Sequence, residues 1–183
     1  MTKPPVTITF EAVVRNEKQQ YIICIPKQES AKLPSRGQVS VSGQINNHKY
    51  KTVLEPDGRL SHWLRVESSF GHAIGIRPSD LVNVELTTTA AWPEPVVPKD
   101  LAEALDTAPQ SVKEKWQDIT PMARWEWIRW INATSSRKTH DIRIEKTISK
   151  LAGTHRRPCC FNLAACTDPE LARNGELYLE ELV

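Results

Sequence analysis

From Val6 to Leu86, apolar residues recur at every second position in short runs cut by turn residues. Ile8, Phe10, Ala12 and Val14 alternate with Thr7, Thr9, Glu11 and Val13, and Tyr21–Ile25 runs up to Pro26. Val39, Val41, Gly43 and Ile45 alternate with small or polar residues, and His48–Leu54, His62–Val66 and Leu81–Leu86 complete the series. A period of two marks strands with one buried face. Asn46-Asn47 predicts a two-residue hairpin turn, because asparagine adopts positive φ at low cost. Pro56-Asp57-Gly58 predicts a second turn. About six such strands predict a small barrel, since closing the sheet removes its sticky edges. Ser30–Leu33 and Ser69–Ile74 read as single helical turns at the barrel ends.

The period then changes. Thr87–Pro98 holds three prolines within its last six residues, so it reads as an extended, semi-rigid linker. Beyond it, Asp100 precedes Leu101, Ala104 and Leu105 as the cap of a first helix. Val112, Trp116 and Ile119 mark a second helix over Ser111–Ile119. Thr120-Pro121 sets a hydroxyl at N-cap before proline at the first helical position, a strong start signal. Met122–Ala133 is apolar nearly all round and reads as a central helix. Lys138–Leu151 carries Ile144, Ile148 and Leu151 on one stripe and ends at Gly153, a fitting residue past a helix end. From Arg156 to the C-terminus no period emerges until Leu177–Leu182, which reads as a partly ordered extension. The predicted class is α+β, a small N-terminal β-barrel followed by a small all-α domain. The boundaries are 1–88 for the barrel, 89–98 for the linker, 99–153 for the helices and 154–183 for the extension.

Composition fits a folded chain. With 39% hydrophobic and 25% charged residues and a net charge of +2, it lacks the signature of disorder. No window approaches the ~18 uninterrupted apolar residues of a membrane span, and Pro4 and Pro5 interrupt any secretory segment. A cytoplasmic location is expected, with the four cysteines as thiols or ligands. Charge is unevenly spread. Residues 121–157 hold nine basic and three acidic side chains, a net +6, and residues 168–183 hold five acids and one arginine, a net −4. Such a pair of surfaces reads first as self-neutralising.

Three groups of residues hold candidate chemistry. The first is the helical block with Trp125, Trp127 and Trp130 among basic side chains. Its rings would stack on single-stranded bases if exposed. Each indole buries about 150–250 Å², however, and a small helical unit needs that area for its core. Arg124, Arg129, Arg137 and His140 are then the candidates for a partner or ligand surface. The second is a barrel mouth built from Arg65, His72, Arg77 and Asp80, suited to a small anion. Its competing reading is a barrel filled by its own side chains.

The third is His155, Cys159, Cys160 and Cys166, one imidazole and three thiols within twelve residues. Zinc takes four such ligands, but adjacent cysteines point opposite ways in extended chain and no paired C-x-x-C is present. The alternatives are a reactive thiol at Cys159, its pKa lowered by Arg156 and Arg157, or simply packed cysteines. Cys24, inside a strand, reads as core. No cofactor is called for, zinc being the one candidate. No nucleophile–base pair, phosphate loop or G-x-S-x-G elbow stands out.

The second half resembles the YdeI/OmpD-associated family, also described as bacteriocin-protection proteins. The likeness rests on Pro98-x-Asp100-Leu101, Ala104-Leu105, Pro109 with Trp116, Ile119-x-Pro121, Trp130-Ile131-x-Ala133, and Thr139 with Arg143-Ile144. Thr134, Lys138 and His140 stand where that family has lysine, glutamate and arginine. The first half resembles the domain of unknown function 1905, a small β-barrel. That likeness rests on Ile25-Pro26, Gly37-x-Val39-x-Val41-x-Gly43-x-Ile45-Asn46, Tyr50-x-Thr52, Pro56-x-Gly58, His62 and Asp80-x-Val82-x-Val84. The resemblance implies a bacterial protein with a protein-interaction role in stress or envelope protection, non-enzymatic and with an unidentified protein partner. The alternatives are a binding module for nucleic acid or a small anion, and a metal- or thiol-dependent activity at the C-terminal cysteines.

Overall fold

The computed structural model describes residues 4–159 and 161–179. They form two compact units. One runs to Pro93 and takes back Leu163–Cys166 and the stretch from Leu171; the other is Glu94–Asn162 with Thr167–Glu170.

The first unit is a curled antiparallel sheet of β1 (Thr7–Val13), β2 (Arg15–Glu17), β3 (Gln20–Cys24), β4 (Val39–Ile45), β5 (His48–Pro56), β6 (His62–Val66) and β7 (Leu81–Thr88), in the order β1-β7-β4-β5-β6-β3-β2. The expected count of about six becomes seven because the first strand breaks at Val14. There the backbone leaves the ladder to exchange bonds with the Ser79-Asp80 turn, from Val14 N to Asp80 O at 2.9 Å and from Ser79 N to Val14 O at 2.8 Å. β1 therefore pairs with β7, while β2, one residue later, pairs with β3. Alternation places Ile8 and Phe10 inside and Thr7, Thr9 and Glu11 outside. The interior is filled by Ile8, Val14, Ile23, Val41, Ile45, Leu54, Leu64, Val82 and Leu86 with their neighbours. Asn46 and Asn47 adopt φ of 47° and 65°, the backbone of the predicted two-residue turn. Two short helices, α1 (Lys27–Ser30) and α2 (Ser68–Ala73), stand near the two expected helical turns.

The sheet is not evenly laced. β4 and β5 pair along seven residues, from Ile45–His48 to Val39–Leu54, whereas β5 and β6 pair only at Glu55–Trp63 and Pro56–His62. Past that point Tyr50 fills the gap. Its hydroxyl donates to Arg65 O at 2.9 Å and accepts from Glu67 N at 3.3 Å, and its ring packs on Phe70 of α2 at 4.5 Å between centroids.

The chain from Leu163 gives this unit a second, smaller core on the outer side of the sheet. Ile22 and Trp63, next in sequence to the inward-facing Ile23 and Leu64, point the other way and are covered by Cys166, Leu171 and Leu177. The covering chain is a hairpin, β8 (Ala172–Arg173) with β9 (Glu176–Leu177), turned by Asn174 and Gly175 at φ of 53° and 80°. Leu177 N bonds Asp57 O at 2.8 Å, tying the hairpin to the Pro56-Asp57-Gly58 turn.

The second unit packs α3 (Lys99–Thr107), α4 (Gln110–Asp118), α5 (Pro121–Asn132) and α6 (Arg137–Ala152) around Leu101, Val112, Trp116, Ile119, Trp127, Ile131 and Leu151. Trp127 is wholly buried at the centre and Trp130 meets it edge-on at 5.9 Å. Thr120 caps α5 as its hydroxyl accepts from Ala123 N at 3.2 Å, with Pro121 opening the helix. Two ends differ from the sequence reading. Pro98, not Asp100, occupies the N-cap of α3, because the Asp100 carboxylate is drawn to α6. Gly153 ends α6 at φ −90°, outside the left-handed region that makes glycine necessary.

Candidate functional site

Most of the basic side chains singled out in the sequence lie in the helical unit, and the fold sorts them. α6 begins at Ser136, whose hydroxyl accepts from Thr139 N at 3.3 Å. The first turn that follows carries Arg137, His140 and Asp141. His140 Nε2 meets Asp100 Oδ2 at 2.8 Å, and Arg137 reaches the same oxygen at 3.3 Å and Asp141 Oδ1 at 2.8 Å. Burial alone would raise the Asp100 carboxyl. The hydrogen bonds from His140 and the Leu101 amide, with the Arg137 charge, outweigh it and hold the group below its ordinary value. The half-buried His140 is thereby fixed between α3 and α6, while the Arg137 side chain stays 71% exposed.

α5 commits its arginines inward. Arg124 forks onto Glu94, with Nη2 to Oε1 at 2.7 Å and Nε to Oε2 at 3.0 Å. Its third nitrogen caps the end of α4, donating to the carbonyls of Trp116 at 2.9 Å and Ile119 at 2.6 Å. Arg129 is buried, its guanidinium 5.1 Å from the Phe161 ring centroid. Beside it the buried Glu126 receives a two-pronged bond from Arg157, through Nε at 2.6 Å and through Nη2. Arg156 grips Asp118 differently, donating from Nη1 to the carboxylate Oδ2 at 2.6 Å and from Nη2 to the main-chain carbonyl at 2.9 Å, and its own carbonyl accepts the Trp127 indole N–H at 3.2 Å. Arg156 and Arg157 thus fasten the chain that follows α6 to Asp118 of α4 and Glu126 of α5.

The proposed barrel mouth is placed as follows. Arg65 is exposed on β6, lying 5.6 Å from the Trp63 ring on the outer face. His72 projects from α2 and meets the Tyr21 ring edge to face, with 6.1 Å between the ring centroids. Asp80 turns its carboxylate onto the Arg77 backbone N–H at 2.8 Å, closing its own turn.

The cysteine group divides between the two units. Cys166 is buried with Trp63 in the sheet unit, while exposed Cys159 and His155 stand in the helical unit. Cys160 lies outside the described residues. Among the described residues no cluster of three or more His, Cys, Asp or Glu side chains has the arrangement of a metal site. Lys150 Nζ stands 2.9 Å from Cys159 Sγ, and Arg156 and Arg157 bond the carboxylates of Asp118 and Glu126. Cys24 packs against the outer core, and burial raises its thiol pKa.

Sequence reasoning missed one polar centre. His62 is buried in the sheet unit, its Nδ1 2.7 Å from Ser30 Oγ and its Nε2 2.8 Å from Gly37 O. A carbonyl cannot donate, so Nε2 holds the proton and Nδ1 accepts from the serine. His62 and Ser30 are 32 residues apart, and no local spacing joins them.

No helix among the described residues is long and apolar enough to cross a membrane. No curated protein matches the chain. Two family models do. Residues 10–86 match the domain of unknown function 1905, and residues 94–153 match the family described as Bacteriocin-protection, YdeI or OmpD-Associated. The first match spans the curled sheet and the second the four helices. The chain therefore joins a domain that matches the domain of unknown function 1905 to a helical domain that matches the YdeI/OmpD-associated family.

Proposed function

We propose that this chain is a non-enzymatic, cytoplasmic protein-interaction factor, serving stress or envelope protection through contacts made by its helical unit. The observation that carries this reading is how the helical unit uses its charges. Arg124, Arg156 and Arg157 are matched to Glu94, Asp118 and Glu126, and His140 to Asp100. Glu94, Asp100 and Asp118, carboxylates from outside the +6 stretch, therefore offset half of its net charge within the unit, which weighs against a nucleic-acid groove. Among the basic side chains that stay exposed in the unit are those of an outer stripe of α6. Lys138, Ile142 and Lys146 succeed one another every four residues, and Ile142 is 38% exposed between the two lysines. An exposed apolar side chain flanked by two lysines, with the Glu145 carboxylate beside it, is suited to a partner surface that sets a carboxylate next to an apolar spot. The protective role comes from the family description alone.

The test uses the full-length chain as bait in lysate of its source organism, beside a Lys138→Glu, Lys146→Glu variant and an Ile142→Asp variant. Loss of the same co-purifying protein from both variants supports the reading. An unchanged set of partners overturns it.

A further inference from the structure

The fold brings an amine and a thiol together at the end of α6. Lys150 lies in the last turn of that helix, and its carbonyl accepts the Gly153 N–H at 3.1 Å. The chain then turns back, and Lys150 Nζ stands 2.9 Å from Sγ of the exposed Cys159. The returning chain is anchored on both sides of the thiol. Before it, Arg156 and Arg157 bond Asp118 and Glu126, and the Arg156 carbonyl accepts the Trp127 indole N–H. After it, the Phe161 ring lies 5.1 Å from the buried Arg129 guanidinium. Two reacting atoms held this close react as one molecule does with itself, far faster than free amine and thiol would. The other described thiols are worse placed to meet an oxidant. Cys166 is 3% exposed, and burial raises the Cys24 thiol. At Cys159 an ammonium beside the sulfur favours the thiolate, which is the form that attacks.

We propose that Cys159 is a site of reversible oxidation by hydrogen peroxide, and that Lys150 captures the oxidised sulfur in a sulfur–nitrogen cross-link. In the first step the Cys159 thiolate attacks peroxide and the O–O bond breaks. Sulfur keeps one oxygen as a sulfenic acid, and the other leaves as hydroxide. That hydroxide takes a proton from the Lys150 ammonium and becomes water. In the second step the freed amine attacks the sulfur, the S–O bond breaks, and the departing hydroxide takes a further N–H proton. Thiolate, ammonium and one peroxide thus become a sulfenamide and two waters, with sulfur oxidised and peroxide reduced. Sulfenic acids condense with backbone nitrogen in the same way. The product closes a ring over residues 150–159 and pins the returning chain to α6. A thiol splits the S–N bond to a mixed disulfide, and a second thiol releases Cys159. Neither Lys138, Ile142 nor Lys146 takes part, so this inference stands apart from the partner surface proposed on α6.

The test treats the full-length protein with hydrogen peroxide, digests it with trypsin and maps the peptides by mass. A Cys160→Ser variant, which removes the neighbouring thiol, is treated beside it. Both are expected to give a joined peptide pair that trypsin leaves uncut after Lys150. The pair is lighter than its two parts by two hydrogens, fragmentation places its bond between Lys150 and Cys159, and dithiothreitol restores the parts. A Lys150→Arg, Cys160→Ser variant keeps the cation but offers a guanidinium that stays protonated and does not attack. It is expected to lose the pair entirely and to accumulate Cys159 sulfinic acid instead. Four results each overturn the proposal. They are sulfinic acid without the pair in Cys160→Ser, a Cys159–Cys160 disulfide in place of the pair in the unaltered chain, a pair that persists in Lys150→Arg, or one that dithiothreitol leaves intact.

Discussion

Ser30 and His62, 32 residues apart in sequence, share a 2.7 Å hydrogen bond sealed from solvent inside the sheet unit. It fastens α1 to β6, and the Gly37 carbonyl on the other ring nitrogen pulls in the loop before β4. Removal from water, more than the nearby Arg36 charge, pushes the His62 pKa below its ordinary value despite the opposing bond from Gly37. The unfolded chain then binds a proton that the folded one refuses. The stability this contributes is complete above the unfolded value of about 6.5 and is lost as pH falls toward the lower folded value. Urea unfolding followed from about pH 7.5 down to about pH 5.5 should show a fall on the order of 1 kcal/mol, with a shallower slope for His62→Gln. Equal slopes for the two proteins would remove His62 as the source.

Arg157→Ala should unsettle the helical unit more than a surface arginine normally does. Glu126 is 8% exposed at its side chain, and Arg157 is its paired cation. Deleting the cation leaves a buried carboxylate without its counter-charge, which typically costs about 3–5 kcal/mol. Because the Arg157 side chain is itself 49% exposed, water takes up part of the loss and about 2 kcal/mol is expected. Arg157→Ala, Glu126→Gln should regain part of the lost urea midpoint, since the charge is then gone from both sides. A double variant no better than the single one would show that the pair is not the cause.

Gly58→Ala should loosen the C-terminal hairpin. Gly58 has φ +77°, and a β-carbon there would stand 2.0 Å from the Gly175 carbonyl oxygen. Strain and collision together push the turn and the hairpin apart, and about 1–3 kcal/mol of local stability is expected to go with it. Cys166 reports on this because it is 3% exposed under that hairpin. Peptide-mapped labelling with a maleimide should modify Cys166 much faster in the variant, while exposed Cys159 reacts alike in both proteins. An unchanged Cys166 rate would mean the hairpin does not depend on the approach at Gly58.

What the sequence disclosed follows from which signals are local. Period-two alternation, the Asn46-Asn47 turn and the Thr120-Pro121 start are written within a few residues, and each is found in the structure. The break at Val14 was not legible, because it is imposed by Asp80 from another part of the chain. The hairpin of β8 and β9 was legible in principle. Asn174-Gly175 is a strong two-residue turn signal, but its flanking strands are two residues each and carry no period. The arginines are plain in the sequence, yet the carboxylates that meet Arg124, Arg156 and Arg157, namely Glu94, Asp118 and Glu126, stand 30 or more residues away. A list of cations in sequence therefore reads as a surface until the carboxylates that meet them are known.

Trp127→Ala should dissolve the helical unit while leaving the sheet unit intact. The indole is fully buried among Leu101, Ile131 and their neighbours, and its N–H donates to Arg156 O at 3.2 Å. Truncating a buried tryptophan costs about 3–5 kcal/mol through the cavity and lost contacts. The orphaned Arg156 carbonyl adds about 1 kcal/mol. Whole domains hold only about 5–15 kcal/mol, so this loss takes most of what a four-helix unit of such size commands. Trp127→Phe keeps an aromatic filling and gives up the N–H bond, which predicts a smaller loss of about 1–2 kcal/mol. Hydrogen exchange read amide by amide separates the units. In Trp127→Ala the amides of Ile128 and Leu151 should lose protection, and those of Ile8 and Val41 should keep theirs. Equal loss at all four would show that the two cores fold as one cooperative body, and the reading of Trp127 as filling for its own unit alone would fall.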